Sequence, residues 1–345
     1  MIFLDHAAGS FPKAPGVARA VSEQLVSGAP NIARGGYGLA YAAAERTEEI
    51  RAALADFFGV GDPRRVIFTP GCTWGLNMVL HGLLRPGDPV TLIGYPHNAV
   101  LRPLRDIGVT EGPGAVIVTH GSNVSGELFS LPAPGAGEWV IVDAAQTAGV
   151  VPIRFDASGA DALALSGHKA LMGPQGIGVL LLSSRMAERL TPFVQGGTGS
   201  FSDAPDMPPV LPDRFEPGTP NLPGIMGLGA ALDFVTGHWE GIRRTAETQT
   251  SLMRELFSSI PGVRLIGTPG LPLCSLDFER IDNGEAAYRL EAEFGICTRC
   301  GLHCAPAAHK ALGTWPRGTV RLSAGYQTTE EELETAARAV RTVAL

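Results

Sequence analysis

Lysine is nearly missing from this chain. Of 27 basic side chains only Lys13, Lys169 and Lys310 are lysines, and arginine supplies the rest. Aromatic residues are sparse at 7%, so a core drawn from the 45% hydrophobic residues must be mostly aliphatic. No uninterrupted apolar run approaches the roughly 20 residues that a membrane-spanning helix needs. The N-terminus, MIFLDHAAG, meets a charge after four residues and has no basic leader before it. Excess positive charge is absent as well. A net charge of −7 argues against nonspecific binding to nucleic acid or anionic membranes, while leaving room for a local anion pocket. The five cysteines, Cys72, Cys274, Cys297, Cys300 and Cys304, are an odd number clustered late in a large chain. That is a poor disulfide framework, and it fits a reducing cytoplasm. At 345 residues, two domains are the natural expectation.

What is present centres on residues 139–178, WVIVDAAQTAGVVPIRFDASGADALALSGHKALMGPQGIG. The apolar run Trp139–Val142 reads as a buried parallel strand ending in the carboxylate of Asp143. A second small-residue strand, Ala160–Leu165, runs into Ser166-Gly-His168-Lys169 and a glycine-rich turn. Ligands in open α/β sheets sit beyond the carboxyl ends of the strands. Asp143 and Lys169 are therefore expected to face one crevice, although 26 positions separate them. Lys169 is either an ordinary solvated loop lysine or a desolvated one, and a desolvated amine can attack a carbonyl.

The motifs are specific enough to carry a resemblance. Asp143-Ala-Ala-Gln146, Ser166-Gly-His-Lys169 and Gly173-Pro-Gln-Gly-Ile-Gly178 resemble the core of the class V pyridoxal-phosphate (PLP) enzymes, especially the cysteine desulfurase and selenocysteine lyase-like branch. The resemblance implies an α/β fold of PLP type I, with a mostly parallel seven-stranded sheet, possibly trimmed, and a smaller α+β domain. By the same resemblance Lys169 carries the cofactor, Asp143 pairs with its pyridine nitrogen and Gln146 with its phenolic oxygen. Ser166 and His168 hold phosphate.

Further matches lie along the chain. Pro70-Gly71-Cys72-Thr73-Trp74-Gly-Leu-Asn77 follows the strand Val66–Thr69, and a strand, glycine turn and helix start make a plausible anion cradle. It resembles the family's phosphate turn, placing Thr73 and Cys72 with the cofactor. Cys72 itself reads as a small buried filler rather than a nucleophile. After the strand Val90–Ile93, His97 matches the residue that stacks on the cofactor ring. After Ala115–Thr119, His120-Gly-Ser-Asn123 places Asn123 on the cofactor or on the substrate carboxylate. Glu216-Pro-Gly-Thr219-Pro-Asn221 resembles a segment that crosses a dimer, so Thr219 implies a homodimer with shared active sites. The region 98–138 departs from the pattern, because it is too short for the extra strand and the full helix usual there.

The late cysteines admit three readings. Cys297, Cys300, Cys304, His303 and His309 lack the spacing of a strong zinc site, so no metal is expected. A redox pair at a helix start fits poorly, because Ile296–Cys300 reads as a strand. The third reading rests on His303-Cys304-Ala-Pro and Gly318-Thr-Val-Arg321, which resemble the desulfurase signature. It implies Cys304 as the sulfur-accepting nucleophile and Arg321 as the fork for a substrate carboxylate. Arg34 is a further candidate for the substrate. The expected domains are an N-terminal segment, 1–15, packed near the small domain, a large domain, 16–235, and a small one, 236–345.

The expected activity is conversion of L-cysteine to L-alanine, with sulfur passed to a small thiol or a carrier protein. Aminotransferase, cysteine or cystine β-lyase and selenocysteine lyase are alternatives on the same scaffold. A trimmed, noncatalytic binding protein is the alternative of a different class.

Overall fold

The computed structural model describes residues 1–27, 31–32, 35–133 and 139–345. The chain opens with a short strand β1 (Ile2–Phe3) and helices α1 (Val17–Val26) and α2 (Gly38–Phe58). The large unit then alternates strands and helices: β2 (Val66–Thr69), α3 (Cys72–Leu83), β3 (Pro89–Ile93), α4 (Asn98–Ile107), β4 (Thr110–Glu111), β5 (Ala115–Thr119) and β6 (Val140–Asp143). It continues through α5 (Phe155–Ser158), β7 (Ala162–Ser166), β8 (Gly178–Leu182), α6 (Ser184–Arg189) and α7 (Leu222–Gly237). The second unit holds α8 (Trp239–Ser258), β9 (Val263–Ile266), β10 (Leu273–Phe278), α9 (Asn283–Phe294), β11 (Ile296–Cys297), β12 (Arg299–Gly301), α10 (Pro306–Ala311), β13 (Thr319–Ser323) and α11 (Glu330–Ala344).

Seven strands form the central sheet in the order β2-β8-β7-β6-β5-β3-β4. The pairs from β7 through β4 are parallel, and β8 alone runs against both its neighbours. Strands β5, β6, β7 and β8 are buried at every position, as apolar strands covered on both faces must be. One face packs on α2 and α7 through Leu54, Phe58, Leu228 and Leu232. The other packs on α3, α4 and α6 through Leu76, Leu80, Val100 and Met186. A separate cluster, with Phe257, Phe278, Leu322 and Val340, forms the core of the second unit around the antiparallel sheet β12-β13-β10-β9.

The shortened region is accommodated at the sheet edge. The seventh place is taken by the two-residue β4, and β3 beside it leaves Thr91 and Leu92 exposed. Residues 120–133 form neither helix nor regular strand. They lean instead on the second unit, where Ser275 Oγ donates to the carbonyl of Val124 at 2.6 Å and the amide of Leu271 donates to that of Gly126 at 3.0 Å.

One expected strand is two. Residues 296–300 break at Thr298, because Ile296 and Cys297 pair in parallel with β1, whereas Arg299–Gly301 pair with β13. Helix α4 opens the shortened region 98–138. It tolerates Pro103 and is capped by its own preceding histidine, whose Nδ1 accepts from the amide of Ala99 at 3.0 Å.

Candidate active site

Because β5, β6 and β7 are adjacent and parallel, their carboxyl ends open on one edge of the sheet. Asp143 terminates β6, and Ser166 terminates β7 three residues before Lys169. A cleft of about 390 Å³ lies beyond them, and its lining includes Thr73, His97, Asn123, Asp143, Ser166 and Lys169. Cys72 and Gln146 also line it.

The buried carboxylate of Asp143 receives both its protein donors on one oxygen. The amide of Ala145 reaches Oδ1 at 3.0 Å, and the Cys72 thiol reaches the same atom at 3.4 Å. Burial, reinforced by the negative charge of Asp143, pushes the Cys72 thiol well above the ordinary range, so it stays protonated and acts as a donor. Oδ2 is left without a protein donor among the described residues. Lys169 Nζ likewise makes no hydrogen bond or ion pair there. Burial lowers its pKa, with Asp143 pulling the other way and Arg321 adding to the depression.

Two helix starts supply the other walls. The N-cap of α3 is Gly71, which has no side chain to offer, so the first-turn region at Cys72 and Thr73 faces the cleft with uncapped amides. Gly178 lets this turn sit tightly on β8. A Cβ there would lie 2.6 Å from Gly71 Cα and 2.6 Å from the carbonyl of Leu165. At the start of α4, burial lowers the pKa of His97, and Lys169, Arg102 and Arg321 add to the effect against the pull of Asp143. The ring is therefore neutral, and since Nδ1 accepts from Ala99 its proton sits on Nε2.

The second unit delivers a cysteine to an adjoining groove, which shares Thr73, His97 and Ala99 with the cleft. His303 and Cys304 both have left-handed backbones, φ 48° and 55°, which cost roughly 1–2 kcal/mol per residue. Two cross-unit bonds hold this turn. Asn123 Nδ2 donates to the carbonyl of His303 at 2.6 Å, and the amide of Asn98 donates to that of Cys304 at 2.7 Å. The Cys304 side chain remains exposed.

Arg321 is 3% exposed and anchored from two sides. Its Nη2 donates to Asp5 Oδ1 at 2.8 Å and its Nη1 to the carbonyl of Asn123 at 3.1 Å, while its buried Nε has no partner among the described residues.

Among the described residues, His168, Thr219, Arg321 and Cys304 are not part of the cleft lining. The carbonyl of His168 accepts from Lys13 Nζ and from the amide and hydroxyl of Ser10, tying the N-terminal segment down, and burial leaves its ring neutral, with a pKa lowered to about 4. Thr219 is exposed on a different groove with Gly176 and Thr198. Arg34 falls outside the described residues. Gln146 lines the cleft while its Nε2 also donates to the carbonyl of Ala7 at 3.1 Å. Sequence reasoning missed Asp5 and Asn98. Asp5 meets Arg321 across 316 positions, and no local pattern signals such a pairing.

The donor set fits pyridoxal phosphate. A partnerless, half-buried amine can carry it, and a carboxylate with one free oxygen suits a protonated pyridine nitrogen. An uncapped helix start with Thr73 and Ser166 suits a phosphate.

Comparison with known proteins bears on the family and the fold. The family model described as Aminotransferase class-V matches residues 2–113 and 107–335. A probable cysteine desulfurase of Methanothermobacter thermautotrophicus is 33% identical over 96% of this chain and 92% of its own. The cysteine desulfurase CsdA of Escherichia coli is 28% identical over 98% of this chain and 93% of its own. Among solved structures, the apo cysteine desulfurase of Thermococcus onnurineus superposes with a TM-score of 0.90 at 28% identity, covering 99% of this chain and 94% of that one. CsdA in an S-sulfonic acid form gives 0.86 at 26%, with the same coverage. The chain belongs to the class V aminotransferase family.

Proposed function

We propose that this chain is a PLP-dependent cysteine desulfurase, which converts L-cysteine to L-alanine and holds the sulfur as a persulfide on Cys304. The observation that carries the reading is the exposed thiol of Cys304, pinned through Asn98 and Asn123 in a groove that shares Thr73, His97 and Ala99 with the cleft of Lys169 and Asp143. An aminotransferase would use the lysine and the aspartate without needing that thiol.

Lys169 would carry the cofactor, Asp143 would pair with its pyridine nitrogen and Gln146 with its phenolic oxygen. The first turn of α3, with Thr73 and Ser166, would hold the phosphate, and His97 would stack on the ring. PLP supplies the electron sink for charge developing on the substrate carbons. Arg321, fixed by Asp5, takes the substrate carboxylate beside Asn123. Lys169, with its amine depressed by burial, moves the α-proton. The Cys304 thiolate attacks the substrate sulfur; the carbon–sulfur bond breaks as a sulfur–sulfur bond forms, and protonation of the carbon releases alanine.

Thr219, exposed and outside the lining of its own cleft, serves the phosphate site of a second copy in a homodimer. None of the described helices is long and apolar enough to cross a membrane, and a cytoplasmic location is part of the same reading.

The test is a product assay on cofactor-loaded protein given L-cysteine and a reductant, with Cys304→Ala in parallel. Alanine and sulfide in equal amounts, both lost in the variant while the visible cofactor band persists, support the reading. Pyruvate and ammonia, or turnover indifferent to the substitution, overturn it.

A further inference from the structure

Helices α3 and α4 pack side by side and both start at the cleft. Each presents a polar row at intervals of four residues, the spacing that keeps side chains on one helix face. Thr73, Asn77 and His81 form the row on α3, and Asn98, Arg102 and Asp106 the row on α4. Together they line a groove of about 980 Å³ that has His97 and Cys304 at its head. Eight residues of helix span about 12 Å, which sets the length of the groove. At its far end His81 stacks on the ring of Phe193, with centroids 4.9 Å apart. Neither the guanidinium of Arg102 nor the carboxylate of Asp106 has an ion pair or hydrogen bond among the described residues. By contrast Arg51, Arg65, Arg185, Arg264 and Arg317 each pair with an acid.

The desulfurase reading requires something to remove sulfur from Cys304, and the groove starts at that thiol. Resting on that reading, we infer that the α3–α4 groove binds the sulfur acceptor, and that this acceptor is a small, extended thiol carrying a carboxylate for Arg102 and an amino group for Asp106. A neutral thiol has no use for either charge, and a free guanidinium one helical turn from a free carboxylate complements a zwitterion. Asn77 Nδ2 is committed to the carbonyl of Thr73 at 2.8 Å, which leaves its amide oxygen to receive a donor from the acceptor. The transfer balances without an outside oxidant or reductant. The acceptor thiolate attacks the outer sulfur of the Cys304 persulfide, a new sulfur–sulfur bond forms, and the Cys304 Sγ–S bond breaks with its electron pair left on Cys304. The acceptor departs as its persulfide.

The experiment separates the two half-reactions on cofactor-loaded protein. L-Cysteine is first supplied in a single turnover, with alanine measured and the Cys304 persulfide weighed by mass spectrometry. Loaded protein is then mixed with reduced glutathione, 3-mercaptopropionate or 2-mercaptoethanol, and the loss of persulfide is timed. Comparing variant with unsubstituted protein for each thiol cancels differences in intrinsic thiol reactivity. Loss of a charge-assisted hydrogen bond corresponds to a slowing of about tenfold or more. Arg102→Ala should therefore slow glutathione and 3-mercaptopropionate by that factor and 2-mercaptoethanol less than about twofold. Arg102→Lys should restore most of the rate, and Asp106→Asn should slow glutathione alone. Equal effects on charged and neutral thiols, or none on either, overturn the inference while leaving the desulfurase reading intact. Absence of alanine and persulfide in the first step removes that reading, and the inference with it.

Discussion

Replacing Glu216 by alanine should loosen the long excursion over residues 192–223, and the cost can be worked from its contacts. Arg51 is 2% exposed, and its two terminal nitrogens donate to Glu216 Oε1 at 2.7 Å and Oε2 at 3.0 Å. Glu216 Oε1 also accepts from the amide of Phe68 at 2.6 Å, so the side chain clamps the excursion to β2. The guanidinium lies 4.5 Å from the centroid of the Phe68 ring. Removing one member of a buried ion pair strands the other and costs about 3–5 kcal/mol. Arg51 keeps the carbonyl of Val66 at 2.5 Å and the exposed Glu48 at 3.1 Å, which places Glu216→Ala near the lower figure, about 3 kcal/mol. An Arg51→Met, Glu216→Leu pair fills the space without stranding a charge and should recover all but about 1 kcal/mol. Urea unfolding followed by circular dichroism measures both, and limited proteolysis reports whether cleavage moves into residues 192–223. A cost below about 1 kcal/mol for Glu216→Ala, or a double variant no better than the single one, would refute the clamp.

Two further outcomes are expected. Gly178→Ala forces Cβ into the backbones of Gly71 and Leu165, so it should destabilise by about 1–3 kcal/mol and raise the cofactor dissociation constant; a cofactor titration that matches the unsubstituted protein would show that the turn has room to give. Stability should also fall as pH drops from about 6.5 towards 4. Burial lowers His6 and His168 to about 4 and His303 to about 2, so the fold keeps them neutral where the unfolded chain, with pKa near 6.5, takes up protons. Their stabilisation is complete above the unfolded value and is lost as pH falls below it; a urea midpoint unchanged between pH 7 and 4.5 would contradict this.

Much of the large sheet is visible in the chain itself. Val66–Thr69 and Ala115–Thr119 are short apolar runs bounded by turn residues, and both are strands at those limits. The glycine turns after the strands mark where a ligand can approach backbone, which is why Asp143 and Lys169 could be assigned to one crevice before any coordinates. The small strand β4, the break at Thr298 and helix α4 were not legible. At β4 and Thr298 a local pattern of Gly or mixed polarity is overridden by a pairing partner elsewhere in the chain, and at α4 a helix forms despite Pro103.

What the sequence by itself determined is the chemistry available: one lysine after a buried strand, an aspartate ending another, a lone His-Cys-Ala-Pro turn and an arginine in a later strand. What only the tertiary structure decided is how these groups are held. Asp5 reaches Arg321 across most of the chain, Asn98 and Asn123 hold the Cys304 turn from the other unit, and Cys72 gives its thiol to Asp143. The Asn98 and Asn123 contacts depend on where two separately built sheets come together, and the others on where distant stretches of chain meet. That geometry is set by the packing of whole faces, and short-range patterns in the chain carry no record of it.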